Sequence, residues 1–224
     1  MAALPVDWNE VDTVLLDMDG TLLDRHFDDY FWETHVPEIY ARIHNLSLLD
    51  SRKLLLARYR GHEGTLDWTD LDFWSEQLGL DIPQLKAKME HLIAVHPYVI
   101  DFLDFVRGAG KGVYLVTNAH SKTLHIKMRK TELGPYFHRV VCSQEVGVAK
   151  EDPRFWEYLR RIIDYVPERT MLADDTEAVL DSARVGGLGH LIHVARPSST
   201  APERSSDRFV SIRYFSQLIP GQHG

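Results

Sequence analysis

The sequence predicts an α/β fold, a doubly wound parallel sheet with an all-helical insertion after its first strand. Short apolar runs alternate with amphipathic stretches along the chain, a pattern typical of a parallel sheet with helices on both faces. The first apolar run is instead followed by a long stretch of helical character. Polar residues stand directly after several runs, where ligands bind in sheets of this kind.

Five apolar runs are predicted to be strands, each short and buried on both faces. They are residues 13–16, 113–116, 140–142, 170–173 and 191–194. Between them, residues 99–106 carry the i, i+3, i+4, i+7 spacing of a helix face, and residues 155–163 form another apolar stripe. Leu124 and Met128 share a face of a further helix, for which Ser121 is a candidate N-cap.

The segment between the first two strands has no strand-like run and reads as helical. It is far too long for a loop of a compact domain, so a small helical insertion is the economical interpretation. The predicted division is a core of residues 1–24 and 96–224 with a helical cap of residues 25–95. Residues 197–207, rich in Ser, Pro and charge, are predicted to be an exposed loop.

Composition excludes several classes of function. The chain has 224 residues and a formal net charge of −8, which argues against non-specific binding to nucleic acid. No apolar run is long enough to span a bilayer, and no secretory signal is visible. Cys142 is the only cysteine, so a reducing compartment is expected. A cytoplasmic location is expected because no targeting signal is visible. Nothing in the sequence predicts an oligomeric state.

The residues that follow the strands carry the chemistry. Two carboxylates follow the first strand, a threonine and an asparagine follow the second, and two more carboxylates follow the fourth. A lysine lies a few residues beyond the third strand. These residues are Asp17, Asp19, Thr117, Asn118, Asp174, Asp175 and Lys150. Each element alone is typical of a turn, a helix cap or a surface lysine; their combination, in chain order, predicts a site.

Four carboxylates at one point cannot all be ionised without a cation, and an all-oxygen cluster suits Mg²⁺. With Lys150 and Thr117, such a metal makes a pocket for a phosphoryl group. Alternate residues of a strand point the same way, so Asp17 and Asp19 are predicted neighbours. We interpret Asp17 as a metal ligand and a nucleophile that forms an aspartyl-phosphate. Asp19 then protonates the leaving oxygen and activates water.

Four stretches, LLDMDGTLLD, YLVTNA, VGVAKEDP and MLADDTEAVLDSA, resemble the motifs of the haloacid dehalogenase superfamily of phosphohydrolases. The resemblance covers nearly the whole chain and implies a Rossmann-like core with a helical cap after the first strand. It also implies roles for the site residues. These are Asp17 as nucleophile, Asp19 as acid/base and metal contact through its backbone carbonyl, Thr117, Asn118 and Lys150 as phosphate-binding residues, and Asp174 and Asp175 as Mg²⁺ ligands.

The sequence departs from the superfamily pattern at two places. The third motif often continues Lys-Pro, whereas here Glu151 and Asp152 precede Pro153. Some members carry an acid four residues after the position of Asp175, which is Val179 here, so Asp174 is expected to supply the extra carboxylate. Which of the two neighbouring aspartates binds the metal directly is left open.

A narrower resemblance includes the cap. The stretches FDDYFWETHVPE and TLDWTDLDFWSEQLGLD are similar to the bacterial GMP/IMP nucleotidase group, which implies a purine nucleoside monophosphate as substrate. Candidates for contacts to the substrate are Phe27, Tyr30, Trp32 and His120. His120 is alternatively a residue that starts a helix. Phe73 and Trp74 are expected to fill the core of the cap.

Alternative functions remain open at this point. The same chemistry serves phosphatases of other small metabolites, such as a sugar phosphate or phosphoglycolate, and phosphomutases. A catalytically silent binding domain is disfavoured because every motif residue is present. Asp19 and the acidic pair argue against a dehalogenase. A phosphonatase needs a cap lysine, and Lys53, Lys86 and Lys88 each sit in polar sequence and are expected to be solvated.

Overall fold

The computed structural model describes residues 4–221, and its centre is a sheet of six parallel strands. The strands are β1 (Thr13–Leu16), β2 (Gly112–Thr117), β3 (Arg139–Cys142), β4 (Thr170–Asp174), β5 (His190–Val194) and β6 (Val210–Ile212). Their order across the sheet is β3-β2-β1-β4-β5-β6. The predicted α/β fold is confirmed, and the five predicted strands agree with β1 to β5. The edge strand β6 was not predicted, because three residues in a polar region show no pattern.

Ten α-helices are present in residues 4–221. The first five lie between β1 and β2, ahead of α6: α1 (His26–Tyr30), α2 (Val36–His44), α3 (Leu48–Arg60), α4 (Leu71–Leu78) and α5 (Ile82–Lys88). The other five are α6 (Val99–Gly108), α7 (Ser121–Thr131), α8 (Ser143–Val146), α9 (Arg154–Leu159) and α10 (Glu177–Val185). A π-helical turn, Phe31–His35, joins α1 to α2.

Strand β1 is buried on both faces because it lies in the middle of the sheet. Successive side chains of a strand point to opposite faces. Val14 and Leu16 therefore pack in one hydrophobic cluster with α6, whereas Leu15 packs in a second cluster with α9 and α10. A strand held in this way fixes the residues at its carboxyl end, where Asp17 and Asp19 follow.

Helices α2 to α5 share a hydrophobic cluster of their own, separate from the clusters that pack on the sheet. Trp74 is 2% exposed at its centre and Phe73 packs against it, as predicted for both aromatic residues. The two connections to the sheet run side by side, since the backbone N–H of His96 donates to Leu22 O at 2.9 Å and Leu23 pairs with Val95. We keep residues 25–95 as a proposed cap domain on the core of residues 1–24 and 96–224.

Two details of the connections bear on the site. Helix α7 is capped by His120, whose Nδ1 accepts from the backbone N–H of Lys122 at 3.3 Å, and not by Ser121 as predicted. The predicted exposed loop, residues 197–207, holds no helix or strand. It contacts the start of the cap, because the backbone N–H of Arg25 donates to Pro197 O at 2.9 Å.

No helix in residues 4–221 is both long enough and apolar enough to cross a membrane.

Candidate active site

The carboxyl ends of β1, β2 and β4 bring the predicted site residues together. Pairing of β1 with β4 places Leu16 opposite Ala173, so Asp17 and Asp174 follow at the same level. The backbone N–H of Asp17 extends the ladder by donating to Ala173 O at 3.1 Å. A cavity of about 510 Å³ opens above this edge of the sheet, and all seven predicted core residues of the site line it.

Lys150 is the cation at the centre of the site. Its side chain is only 2% exposed, and its Nζ donates to Asp17 Oδ1 at 2.5 Å and to Asp174 Oδ2 at 2.7 Å. Burial lowers the pKa of Lys150, but the two carboxylates outweigh burial and raise that pKa above its usual value. Lys150 therefore stays charged and joins two strand ends.

Three carboxylates form a cluster that fits a hard cation. Asp17, Asp174 and Asp175 each offer an oxygen, and these oxygens lie within 4.8 Å of one another. Burial raises the pKa of Asp17 to about 6, opposed by Lys150 and reinforced by Asp174. Burial, together with Asp174 and Asp17, also raises the pKa of Asp175 well above its usual value. Bringing these buried like charges together is costly, and a bound cation would remove the cost.

Asp175 also has a partner from the cap side. Nη1 of Arg25 donates to Asp175 Oδ2 at 2.7 Å, and Nε of the same guanidinium lies 3.2 Å from Asp29 Oδ1. Arg25 was not predicted as a site residue. Arginine at this position links the start of the proposed cap to the acidic cluster.

The turn after Asp19 requires glycine. Gly20 has a φ of +91°, and a Cβ built on it would lie 2.6 Å from Asp175 Oδ2. A side chain at this position would be strained by the backbone and would displace a carboxylate of the acidic cluster. The glycine of the first motif therefore allows two segments of the site to approach each other.

Thr117 and Asn118 lie at the end of β2. Thr117 is 1% exposed, and its Oγ1 accepts from the backbone N–H of Ala119 at 3.0 Å. Asn118 ties two loops together, because its Oδ1 accepts from the backbone N–H of Lys150 at 3.0 Å and its Nδ2 donates to Glu151 Oε2 at 2.9 Å. Glu151, one of the departures from the superfamily pattern, thus has a structural partner.

Asp19 is joined to a chain of buried charges. Its Oδ1 accepts from Lys127 Nζ at 2.5 Å, and the same ammonium donates to Asp28 Oδ2 at 2.5 Å. Asp28 Oδ1 accepts in turn from Lys86 Nζ at 2.6 Å. We call Lys86, Asp28, Lys127 and Asp19 the buried charge chain. Burial, opposed by Lys127 and reinforced by Asp28 and Asp17, raises the pKa of Asp19 to about 6.

The expected solvation of Lys86 is wrong. Its side chain is 3% exposed, and its Nζ lies 5.2 to 5.6 Å from the ring centroids of Phe27, Phe31 and Trp32. Polar neighbours in the sequence misled the prediction because α5 turns Ile82 and Lys86 toward the same buried face. The other lysine of the buried charge chain is Lys127, which lies on the buried face of α7 with Thr123 and Ile126. That i, i+3, i+4 spacing was the sequence signal by which its burial could have been predicted.

The four candidates for contacts to the substrate occupy different places. Trp32 and His120 line the cavity. Phe27 is 1% exposed and packs in the core, where Lys86 and Lys127 stand over its ring, so it has no surface to offer a ligand. Tyr30 is partly buried, packs near His26, and is not among the residues that line the cavity.

Aromatic side chains form another part of the cavity wall. The ring of Tyr59 lies 5.3 Å from that of Trp32, 5.0 Å from that of Trp74 and 6.2 Å from that of Trp68. All four rings line the cavity, and we call them the aromatic wall. Only Trp32 among them was predicted as a substrate contact. The cavity is thus lined both by the acidic cluster, which could hold a cation, and by aromatic rings.

Comparisons with known proteins show the family of this chain. A family model described as haloacid dehalogenase-like hydrolase matches residues 11–187. The GMP/IMP nucleotidase YrfG of Escherichia coli (strain K12) is 37% identical over 215 residues, which are 96% of this chain and 97% of that protein. The phosphorylated carbohydrates phosphatase of Thermotoga maritima is 22% identical over 82% of this chain and 85% of its own length.

A solved structure shares the fold over almost the whole chain. The crystal structure of a HAD phosphatase from Thermococcus onnurineus superposes with a TM-score of 0.77 and 23% identity, covering 93% of this chain and 96% of its own. A likeness at this identity concerns the fold alone. The match includes the helical segment between β1 and β2.

Proposed function

This chain belongs to the haloacid dehalogenase-like hydrolases and is a phosphohydrolase, and we propose that its substrates are purine nucleoside 5′-monophosphates, GMP and IMP. The observation that carries this proposal is one continuous cavity, which runs from Asp17 to the aromatic wall. A phosphate at the acidic end leaves a planar base within reach of aromatic rings. The relative named a GMP/IMP nucleotidase supports the same substrate class, because its similarity extends through the cap.

Asp17 attacks the phosphorus and forms an aspartyl-phosphate. Its carboxylate is fixed at the end of β1 by the backbone ladder and by the ion pair with Lys150. Lys150 also presents positive charge to the phosphoryl oxygens, and Thr117 lies beside it at the end of β2 with a hydroxyl that can donate to them. Asn118 holds the backbone of Lys150 in this position.

Asp19 transfers the proton. Burial raises the pKa of Asp19 to about 6, closer to neutral pH than that of an ordinary aspartate, which suits a group that first acts as an acid and then as a base. It protonates the nucleoside 5′-oxygen as the P–O bond breaks. It then takes a proton from the water that hydrolyses the aspartyl-phosphate, which restores both aspartates.

Asp17, Asp174 and Asp175 are the residues that would hold Mg²⁺. The resemblance to the superfamily implies that the backbone carbonyl of Asp19 would be a further ligand. When bound, the ion supplies positive charge for the phosphoryl oxygens and for the carboxylates themselves. Carboxylate oxygens suit hard divalent cations, and Mg²⁺ is the one we propose.

A panel of phosphomonoesters tests the substrate. Phosphate release from GMP, IMP, AMP, glucose 6-phosphate and 2-phosphoglycolate is measured with Mg²⁺ and with EDTA. We expect the highest kcat/KM for GMP and IMP and no turnover in EDTA. A higher kcat/KM for glucose 6-phosphate or 2-phosphoglycolate would contradict the nucleotide assignment in favour of that class of substrate. Undiminished turnover in EDTA would contradict the requirement for a metal.

A further inference from the structure

The buried charge chain connects the proposed general acid to the helices of the cap. Its members come from four segments: the turn after β1 and α1, which are close in sequence, and α5 and α7, which are far from both. The two lysines are 1% and 3% exposed, whereas the side chain of Asp19 is 25% exposed and lines the cavity. The buried charge chain thus extends from the protein interior, at Lys86, to Asp19, where proton transfer is proposed to occur.

Stability alone does not account for this arrangement. Burying two ammonium groups costs several kcal/mol of desolvation for each, and apolar side chains of similar volume often stabilise a protein at least as well. The ammonium of Lys86 lies over three aromatic rings and that of Lys127 over the ring of Phe27, so an apolar replacement at either position would contact apolar surface. What the lysine at position 127 adds is a fixed hydrogen bond to Asp19.

We propose that Lys127 is a positioning residue for the general acid Asp19, and that Asp28 holds Lys127 in place. The inference rests on the proposed acid/base role of Asp19. Lys127 Nζ donates to Oδ1 of Asp19, so the transferable proton resides on the other oxygen, Oδ2. Asp28 binds the same ammonium through Oδ2 and is itself fixed by Lys86 through Oδ1. Rotation of the Asp19 carboxyl is thereby restrained.

The two lysines provide a matched comparison. Both are buried, both contact an aromatic ring, and both donate to Asp28. Only Lys127 also donates to Asp19. Replacing either lysine by methionine removes one buried charge and keeps an apolar side chain of similar length, so a difference between the two variants reports the contact with Asp19.

The experiment compares leaving groups. kcat/KM includes every step up to the departure of the leaving group, so it reports the acid role of Asp19 and not the later activation of water. A nucleoside alkoxide is strongly basic and needs the proton, whereas p-nitrophenolate is weakly basic and leaves without it. We measure kcat/KM for IMP and for p-nitrophenyl phosphate with wild type, Lys127→Met, Lys86→Met, Asp28→Asn and Lys127→Arg.

We expect Lys127→Met to lower kcat/KM for IMP about 100-fold, as for a misplaced catalytic group, and that for p-nitrophenyl phosphate less than about 10-fold. Asp28→Asn is expected to shift the ratio of the two values in the same direction, and Lys127→Arg to restore part of it. Lys86→Met is expected to shift the ratio much less than Lys127→Met, because Lys86 reaches Asp19 only through Asp28 and Lys127. If Lys127→Met does not fold, the ratio measured with Asp28→Asn and Lys127→Arg decides.

Equal losses for the two substrates in Lys127→Met would overturn the positioning role and leave Lys127 as a structural residue. The substrate assignment fails separately. If wild type prefers glucose 6-phosphate to IMP, the same ratio is measured with that alkyl phosphate, and the role of Lys127 stands or falls on the result. Wild-type turnover of p-nitrophenyl phosphate with no turnover of any alkyl phosphate would overturn the acid role and this inference with it.

Discussion

Lys150 Nζ lies 2.5 Å from Asp17 Oδ1, and both side chains are buried at the carboxyl end of β1. The same ammonium is 2.7 Å from Asp174 Oδ2, so one cation compensates two carboxylates. The Lys150 ammonium thus compensates Asp17 and Asp174, whereas the charged partner of Asp175 is Arg25. This relationship makes the site sensitive to the loss of either charge.

Removal of the central lysine is the first prediction. Lys150→Met leaves Asp17 and Asp174 buried without their cation, and breaking a buried pair typically costs about 3 to 5 kcal/mol. We expect a lower Tm in EDTA and a larger gain in Tm on addition of Mg²⁺ than in wild type. Thermal unfolding with and without Mg²⁺ measures both. A variant with unchanged Tm in EDTA would mean that the pair does not compensate these carboxylates.

The second prediction concerns pH and Asp175. Its raised pKa means that the charged form is disfavoured in the folded, metal-free protein, whereas an unfolded aspartate ionises near pH 4. The contribution of this carboxyl to the free energy of unfolding is therefore fully present below about pH 4. It is lost as pH rises through the folded-state pKa. Asp175→Asn does not titrate, so its Tm in EDTA should exceed that of wild type by an amount that grows from pH 4 to pH 8.

Saturating Mg²⁺ is the control for this experiment, since a cation should favour the charged wild-type carboxylate and reverse the order of the two Tm values at pH 8. Groups that do not interact with Asp175 titrate alike in both proteins and cancel in the difference, whereas Asp17 and Asp174 are coupled to Asp175 and ionise more easily in the variant. A Tm difference that is independent of pH would contradict the raised pKa of Asp175.

Part of the site was accessible from sequence and part was not. Asp17, Thr117 and Asp174 meet because each directly follows a strand, and neighbouring parallel strands end at the same edge. Asp28, Lys86 and Lys127 meet through side chains that are 58 and 99 residues apart in sequence, and local patterns do not report such contacts. The buried face of α7 indicated only that Lys127 is inside.

The aromatic residues after the first motif show the same limit. Phe27 and Trp32 both stand near Asp19 in sequence, and both were reasonable candidates for a contact with the substrate. Their position on one short helical stretch decides which ring faces the core and which faces the cavity. The direction of α1 and of the π-helical turn depends on packing against α5 through Lys86, which the sequence pattern does not reveal.

Trp32 gives the third prediction. Stacking of an aromatic side chain on a base contributes about 1 to 3 kcal/mol, so Trp32→Ala should raise KM for GMP and IMP by about 5- to 150-fold. kcat/KM for p-nitrophenyl phosphate should change much less, because that substrate lacks the purine. Tyr30→Ala is the matched control, since Tyr30 is close in sequence but does not line the cavity. Equal effects of the two substitutions on KM for GMP would argue against stacking at Trp32.

Gly20 gives the fourth prediction. Gly20→Ala places a Cβ where Asp175 Oδ2 would be 2.6 Å away, at a φ of +91°. We expect a loss of Mg²⁺-dependent activity of more than about 100-fold, because displacement of a ligand group by about 1 Å has effects of this size. Gly79→Ala is the control: Gly79 also has a positive φ, +64°, but a Cβ there meets nothing within 4 Å.

The control variant should lose about 1 kcal/mol of stability through backbone strain and keep its kcat. The activities of the two purified variants, each measured below its own Tm, separate strain from crowding. Full activity in Gly20→Ala would show that the acidic cluster tolerates a shift of Asp175.

Trapping the phosphoenzyme tests most directly whether Asp17 forms an aspartyl-phosphate. Wild-type protein turning over GMP with Mg²⁺ is quenched in acid, digested and analysed by mass spectrometry. We expect a phosphoryl group on the peptide that contains Asp17. With Asp17→Asn we expect neither an adduct nor phosphate release. Phosphate release by Asp17→Asn at the wild-type rate, or an adduct at another residue, would contradict the covalent mechanism at Asp17.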